Sequence, residues 1–318
     1  MNSIDVSIIL PVYNNENTLK RALDSVFSQV FNGSFELICA IDPSKDDSLS
    51  ILEEYSKKHP NLVLLVSKER LGTALSRQKA IEIAKGKYVA FLDADDELRN
   101  DFLQKMFDAI VKKDADVVNC SFYVVYGTRN KKVTYPFRRN ATLRGKAILR
   151  SFYMDACIRG FMWSKMYRKE ILSSLPRVLL ASPKDMFEDQ ALNGTLLAKC
   201  NKVILLRKPL YYYYKNNAAS LSSVKRTDRA QRHLAIFALH RHFFENTQNS
   251  IALKAFRSRL FRMSWTLSFD IKIDKKNGAS KEYIKTIRDE WKNVRNLKKP
   301  LPIEGKSYEE LFSRAILS

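Results

Sequence analysis

Glycine is scarce in this chain, with only 9 among 318 residues. The glycines are nowhere clustered at the spacing of a phosphate-binding loop, which excludes a P-loop and a dinucleotide-binding G-x-G-x-x-G turn. If the protein binds phosphate, charged side chains or a metal ion must meet that charge, because the glycine-rich backbone cradle is missing.

Cysteines and long apolar runs are also few. The 4 cysteines lie far apart without a C-x-x-C pair, which argues against structural zinc and favours reduced core thiols. No stretch approaches the roughly 18 apolar residues that a membrane span needs. The apolar run 6–13 is too short for a signal peptide and is interrupted by Pro11. We therefore expect a cytoplasmic protein, with peripheral attachment to the inner face of the cell membrane as an option.

Positive charge is in large excess, with 55 Lys and Arg against 34 Asp and Glu and a formal net charge of +21. Nucleic acid, an anionic membrane and a phosphate-bearing substrate are the three candidate partners. The chain lacks the interleaved basic and aromatic motif of an RRM, zinc-finger spacing and a heptad-linked basic region, so we expect no nucleic-acid partner. No acid occurs in 117–154, which makes that segment a candidate loop for binding an anion.

Strand-like and helical patterns alternate through the first hundred residues. The β-branched or apolar runs 4–12, 35–41, 61–67 and 87–93 are separated by three segments with helical spacing. This alternation predicts βαβ units, and hence an α/β fold with a mostly parallel sheet flanked by helices. Further strands are predicted at 116–127 and 202–215, and a helix at 101–113.

Helical periodicity replaces strands from about residue 226 onward. The segment 226–318 carries 20 basic and 10 acidic residues. We predict two domains, an α/β domain at 1–225 and a basic, mainly α-helical region at 226–318. A solvated helical surface and a platform on anionic lipid are both open interpretations of the second region.

Aspartates follow two of the predicted strands. Asp42 comes after one strand, and Asp93, Asp95 and Asp96 come directly after another. In open α/β sheets, ligands bind beyond the carboxyl ends of the strands. A single Asp at such a place is usually a cap or a solvated turn, but several like charges together are costly unless a cation neutralises them. Hard oxygen ligands suit Mg²⁺ or Mn²⁺ shared with a diphosphate.

Five segments in order, 6–29, 36–48, 71–98, 161–172 and 186–192, resemble the inverting family 2 glycosyltransferases with the GT-A (Rossmann-like) fold, of the bacterial surface-polysaccharide type. The resemblance implies transfer of a sugar from a nucleotide sugar, with a UDP-sugar favoured, to a hydroxyl of a glycan or lipid-linked acceptor. It also implies Mn²⁺ or Mg²⁺ as cofactor. A catalytically silent member acting as a scaffold, or a nucleic-acid-binding protein, is the alternative.

The resemblance also implies roles for individual residues. Asp189 matches the catalytic base, and Asp95 and Asp96 match the positions nearest to the metal and the ribose. Two positions depart from the family pattern, since Ile41 replaces an acid and Gln78 replaces an asparagine. The implied donor nucleotide-binding residues are Pro11, Val12, Tyr13, Asp42, Arg77, Asp93 and Asp95, and the acceptor-side candidates are Glu188, Trp163 and Lys165.

For some of these residues, a purely structural role is an alternative to the functional one. Glu188 and Asp189 also fit a pair of acids favoured by the dipole at a helix N-terminus. His233, His240 and His242 lie in a helical segment without an evident carboxylate ligand, so we expect core or surface roles for them rather than metal binding. The run of four tyrosines at 211–214 is expected to alternate between core packing and acceptor-side stacking.

Overall fold

The computed structural model describes residues 3–126, 129–133, 139–153, 158–173, 188–215 and 227–296, without the side chains at 129–133, 188, 242 and 246. The chain divides into two compact units. The first unit comprises Met1–Leu143, Phe161–Leu175 and Cys200–Ala218, and the second comprises Arg144–Gly160, Pro176–Lys199 and Ala219–Ser318.

The first unit is built on a sheet of 10 strands. Its strands are β1 Val6–Val12, β2 Phe35–Ile41, β3 Leu62–Val66, β4 Tyr88–Phe91, β5 Glu97–Leu98, β6 Val117–Tyr126, β7 Arg129–Val133, β8 Ala141–Arg144, β9 Lys165–Arg168 and β10 Lys202–Lys215. The main path runs β3-β2-β1-β4-β9-β6-β10-β5, with β7 beside β6 and β8 beside β10. The helices of this unit are α1 Glu16–Phe27, α2 Ser48–Lys58, α3 Gly72–Ile83, α4 Phe102–Lys113 and α6 Lys169–Ser173.

The predicted alternation of strands and helices is confirmed. Strands β1 to β4 pair in parallel with one another, and β6 pairs in parallel with β10. Helix α1 forms because apolar side chains recur at helical spacing, and it buries Leu19, Ala22, Leu23 and Val26. Strand β1 is buried along almost its whole length, as a central strand covered on both faces should be.

Strand β9 is one of the strands that the sequence did not predict. It lies antiparallel between β4 and β6, so it joins the two parallel portions of the sheet. Its segment is short and mixed apolar and basic, and its pairing partners are remote in sequence, so no local pattern announces it. The sheet is therefore mixed, with parallel pairing dominant on either side of β9.

The second unit is helical. Its described helices are α5 Lys146–Tyr153, α7 Glu188–Lys199, α8 Arg229–Asn246, α9 Ser250–Arg257, α10 Leu260–Lys276 and α11 Lys281–Arg295. Helices α5 and α7 belong to this unit although they precede residue 225, so a single boundary near 225 does not describe the division of the chain. Their apolar sides pack on α8 and α9, which local helical periodicity cannot reveal. No described helix is long and apolar enough to cross a membrane.

His233 and His240 have core roles, as the sequence predicted. His240 is fully buried between the hydroxyl of Tyr153, 3.0 Å from Nδ1, and the carbonyl of Ala191, 3.1 Å from Nε2. His233 lies between Asp270 and Gln190. The side chain of His242 lies outside the described residues.

Candidate functional site

The carboxyl ends of three adjacent strands define the site. Strands β2, β1 and β4 are neighbours in the sheet and run in the same direction. Tyr13 follows β1, Asp42 follows β2 and Asp93 follows β4 by two residues, so the topology gathers these side chains at one edge. Pro11 and Val12, the other residues predicted near the nucleotide, form the last two positions of β1.

Asp42 holds the start of helix α3. Its Oδ2 accepts hydrogen bonds from the backbone N–H groups of Leu71 at 3.1 Å and Gly72 at 2.8 Å, and its Oδ1 accepts from the hydroxyl of Ser76 at 3.2 Å. The residue is 4% exposed. Asp42 thus satisfies backbone donors that a helix start leaves open. Its contact with a nucleotide base stays a prediction.

Arg77 and Asp93 form an ion pair at the same edge. The guanidinium Nη2 lies 2.7 Å from Asp93 Oδ1, with the arginine side chain 3% exposed and the aspartate side chain 28% exposed. Helix α3 supplies the arginine and the loop after β4 supplies the acid. The pair fixes Asp93 while leaving part of its carboxylate accessible.

Asp96 is placed differently from its predicted role as a metal ligand. It is fully buried, and its two oxygens accept hydrogen bonds from the Tyr211 hydroxyl at 2.8 Å and the Tyr214 backbone N–H at 2.8 Å. Burial raises the pKa of Asp96 well above its usual range, and the neighbouring carboxylates of Asp95 and Asp93 raise it further. Because each oxygen accepts a hydrogen bond from β10, Asp96 anchors the loop, and its assignment as a metal ligand stays a prediction.

Asp95, like Asp93, is partly exposed. Its backbone carbonyl accepts a hydrogen bond from Nη2 of Arg21 on α1 at 2.5 Å, and that guanidinium lies 3.7 Å from the centre of the Tyr214 ring. Sequence inspection missed Arg21, because nothing in the local pattern of α1 indicates a contact 74 residues away. Arginine and tyrosine together hold the main chain at Asp95.

The carboxylates after β4 do not form a complete site for a divalent ion by themselves. Within the described ranges, no group of three or more His, Cys, Asp and Glu side chains is arranged to hold a metal by itself. Mg²⁺, however, is commonly bound by one or two carboxylates together with substrate phosphates. Asp93 and Asp95, both partly exposed, fit that kind of site. Of the predicted pair of metal ligands, Asp95 is thus partly exposed, whereas Asp96 is buried.

Trp163 and Lys165, predicted on the acceptor side, are both buried. Trp163 is 3% exposed and stacks on Tyr211 at 4.4 Å and on Tyr213 at 5.5 Å between ring centroids. Lys165 is fully buried on β9, with its ammonium hydrogen-bonded to the carbonyl of Phe161. The prediction that these two residues face an acceptor is wrong. Trp163 instead supports Tyr211, the residue that holds Asp96.

The tyrosine run alternates as the strand period requires. Tyr211 and Tyr213 both pack on Trp163, whereas Tyr212 stacks on Tyr123 with 5.1 Å between ring centroids. The prediction that half of the tyrosine run packs in the core is therefore confirmed. The hydrogen bond from Tyr211 to the carboxylate loop was not foreseen, since the run by itself gives no sign of its long-range partners.

Tyr13 has an arginine over its ring. Arg70, from the loop before α3, places its guanidinium carbon 4.2 Å from the ring centre. Both residues lie at the edge where the strands end, and Arg70 is exposed. A flat ring and a flat cation next to each other offer surfaces on which a nucleobase can stack. Arg70 was not among the predicted residues.

Asp189 belongs to the second unit and lies in the first turn of α7. Its backbone carbonyl accepts from Asn193 Nδ2 at 3.0 Å, and its side chain is partly exposed. The side chain of Glu188 and the basic side chains at 127–138 lie outside the described residues, so the roles predicted for them stay predictions.

Sequence comparison places this geometry among known proteins. A model of the family described as glycosyl transferase family 2 matches residues 7–175. The minor teichoic acid biosynthesis protein GgaA of Bacillus subtilis is 28% identical over 213 residues, 66% of this chain and 47% of GgaA. The poly(ribitol-phosphate) beta-glucosyltransferase of Bacillus spizizenii is 37% identical over 117 residues, 35% of this chain and 18% of that enzyme. The alignments thus span less than half the length of both relatives.

Solved structures share the fold. TarS of S. aureus, residues 1–349, has a TM-score of 0.69 at 20% identity, with 92% of this chain and 81% of that chain covered. The same protein was also solved in complex with UDP-GlcNAc. The mannosyltransferase PcManGT of Pyrobaculum calidifontis, solved with GDP-Man and Mn²⁺, has a TM-score of 0.53 at 16% identity, with 94% and 88% covered. These similarities identify the GT-A fold of this chain.

Proposed function

The chain belongs to glycosyl transferase family 2, and on that premise we propose that it transfers a sugar from a UDP-sugar, with inversion, to a hydroxyl of an anionic cell-surface glycan or a lipid-linked precursor. The observation that carries the proposal is the ion pair of Arg77 with Asp93 beside the accessible Asp95, at the edge where β1, β2 and β4 end. The UDP-GlcNAc complex of TarS supports the choice of donor.

The donor diphosphate needs positive charge at this edge, since the glycine-rich cradle is missing. We assign Asp93 and Asp95 to hold Mn²⁺ or Mg²⁺ together with the donor phosphates, and the Mn²⁺ in PcManGT supports this choice. Such an ion neutralises the charge that develops on the departing nucleoside diphosphate. Arg77 pairs with Asp93 and orients it, and Tyr13 with Arg70 offers the stacking surface for the base.

The acceptor hydroxyl must lose a proton as it attacks. We assign the general base to Asp189, on its match to the family pattern and its partial exposure at the start of α7. The named polymers of the relatives, teichoic acid and poly(ribitol phosphate), support an anionic acceptor, as does the net charge of +21. Cys39 and Cys120 are free and buried, which supports a cytoplasmic location.

A nucleotide panel tests the donor. UDP, GDP, CDP and dTDP are each added with Mn²⁺, and the thermal midpoint is measured, because a ligand that binds only the folded state raises it. We expect UDP to stabilise most, and UDP-sugar to be hydrolysed slowly without acceptor only when a divalent ion is present. Asp95→Asn should abolish the metal-dependent hydrolysis, whereas Asp108→Asn, an exposed acid on α4, should leave it unchanged.

The outcomes separate the alternatives. Stabilisation by UDP with neither hydrolysis of UDP-sugar nor transfer to any glycan would indicate a scaffold that retains the nucleotide site. Absence of stabilisation by all four nucleotides would contradict the proposed donor class.

A further inference from the structure

Helix α10 exposes three aromatic side chains. Phe261 is 87% exposed, Trp265 is 53% exposed and Phe269 is 51% exposed. They follow one another at intervals of four residues, so they lie along one side of the helix and span about 80° of its circumference. Trp265 and Phe269 stack with 6.0 Å between ring centroids. We call Phe261, Trp265 and Phe269 the aromatic stripe.

The other side of α10 is occupied by packing within the second unit. Met263, Leu267 and Ile271 are buried there. The two acids of the helix, Asp270 and Asp274, are also buried, and accept hydrogen bonds from Arg229 and from the backbone of Ala230 respectively. The helix therefore carries its negative charge inward and an additional apolar surface outward.

The exposed charges on α9 and α10, the helix of the aromatic stripe, have one sign. From residue 250 to residue 276, every exposed charged side chain is basic. The guanidinium of Arg262 lies 4.6 Å from the centre of the Trp265 ring, and Lys272 and Lys276 continue the stripe at helical spacing. The six exposed basic residues are Lys254, Arg257, Arg262, Lys272, Lys275 and Lys276.

We propose that the aromatic stripe and its basic neighbours dock this protein on an anionic lipid surface. Large exposed apolar patches mark interaction sites, and a helix with aromatic residues flanked by Lys and Arg fits the boundary between headgroups and acyl chains. Anionic headgroups attract the lysines and arginines, while the aromatic rings enter the interface. Association of two copies through this face would bring basic residues against basic residues, which disfavours self-association.

The inference goes beyond the proposed transfer reaction and is tested without any sugar donor. Failure of vesicle binding and failure of glycosyl transfer are thus separate results. If both hold, the enzyme works at the membrane surface, where a lipid-linked acceptor would be presented.

Tryptophan fluorescence gives a direct readout. The chain has 3 tryptophans, of which Trp163 and Trp291 are 3% and 7% exposed, so the response to vesicles reports chiefly on Trp265. The full chain is titrated with phosphatidylcholine vesicles, with or without phosphatidylglycerol, and with inorganic phosphate alone. We expect a blue shift and co-sedimentation with the anionic vesicles only, both weakened by high salt.

Matched variants locate the contact. The stripe variant combines Phe261→Ser, Trp265→Ser and Phe269→Ser. It should reduce co-sedimentation with anionic vesicles at least about tenfold, since the apolar contribution to binding is lost. A second triple variant combines Arg262→Gln, Lys272→Gln and Lys276→Gln. Its co-sedimentation should fall about fivefold for each charge removed. Val111→Ser, which changes a side chain 47% exposed on α4, is the control. Circular dichroism establishes that each variant is folded.

Three results would overturn the proposal. These are equal binding to neutral and anionic vesicles, unchanged binding of the folded stripe variant, and a phosphate response equal to that of anionic vesicles. A dimer in analytical ultracentrifugation that the stripe variant loses, together with no vesicle binding, would instead assign this face to contact between copies.

Discussion

The hydroxyl of Tyr211 donates a hydrogen bond to Asp96 Oδ2 at 2.8 Å, and through this bond strand β10 holds the carboxylate loop that follows β4. The same hydroxyl accepts from the backbone N–H of Asp93 at 3.2 Å. Since Trp163 stacks on the Tyr211 ring, the aromatic core of the sheet determines where the three aspartates lie.

Tyr211→Phe should therefore affect both stability and donor binding. The substitution keeps the ring but removes a donor from a buried carboxylate, which costs about 1–3 kcal/mol of unfolding free energy. Urea unfolding and the shift of the thermal midpoint by UDP with Mn²⁺ measure the two effects. Tyr212→Phe is the matched control, because Tyr212 stacks on Tyr123 on the other side of the strand. Equal losses in the two variants would contradict the role of the Tyr211 hydroxyl.

Arg77→Met should weaken donor binding by leaving Asp93 without its cation. The pair is buried on the arginine side but 28% exposed on the aspartate side, so the expected loss of stability is modest, about 1–2 kcal/mol. Lys79→Met changes an exposed cation on the same helix and should leave stability and UDP binding unchanged. The double variant Arg77→Met with Asp93→Asn should lose less than the two single losses added together. Additive losses would show that the two side chains act independently.

Asp189→Asn should reduce transfer by about 10²–10⁴-fold while UDP binding remains near that of the wild type, if Asp189 is the general base. Single-turnover transfer and thermal stabilisation by UDP separate the chemical step from donor binding. Glu282→Gln is the matched control, since Glu282 is an acid in the first turn of α11. Undiminished turnover of Asp189→Asn would remove Asp189 from the mechanism.

His240 should make the helical unit sensitive to acid. Burial lowers the pKa of His240 to about 4 from its ordinary value of 6.5, because the charged imidazolium is poorly solvated there. The unfolded chain binds more protons than the folded one between these values. Stability from this residue is therefore fully present above pH 6.5 and is lost as the pH falls towards 4, by up to about 3 kcal/mol.

Unfolding free energies measured from pH 4 to pH 7 test this dependence of stability on pH. His240→Gln keeps a polar side chain but no titrating group, so it should have a shallower dependence over the same interval. An identical slope in the variant would assign the acid sensitivity to other groups.

Local sequence patterns determined much of the fold. The alternation of β1 to β4 with three helices is visible because the apolar spacing of each element is set within a few residues. The same is true of the positions of Asp42 and of the carboxylates after β4, because the ends of strands are marked in the sequence. Local spacing also predicted that the C-terminal segment is helical, but it left core and surface roles open for its histidines.

Only tertiary structure decided which side chains point where. Asp93, Asp95 and Asp96 look equivalent in sequence, but Asp96 faces two donors on β10 whereas Asp93 faces Arg77. Trp163 and Lys165 look like surface residues in a basic segment, yet β9 carries them inside the sheet. These differences depend on pairings between residues far apart in the chain, which no local pattern contains.

The scarcity of glycine and the excess of positive charge follow from the sequence alone, and together they require that phosphate be met by cations rather than by backbone amides. The placement of the charges in space does not follow from the sequence alone. The exposed basic residues around the aromatic stripe stand out only because folding buries Asp270 and Asp274 on the opposite side of α10. Burial, which is a property of the packed chain, thus decides which charges a partner can meet.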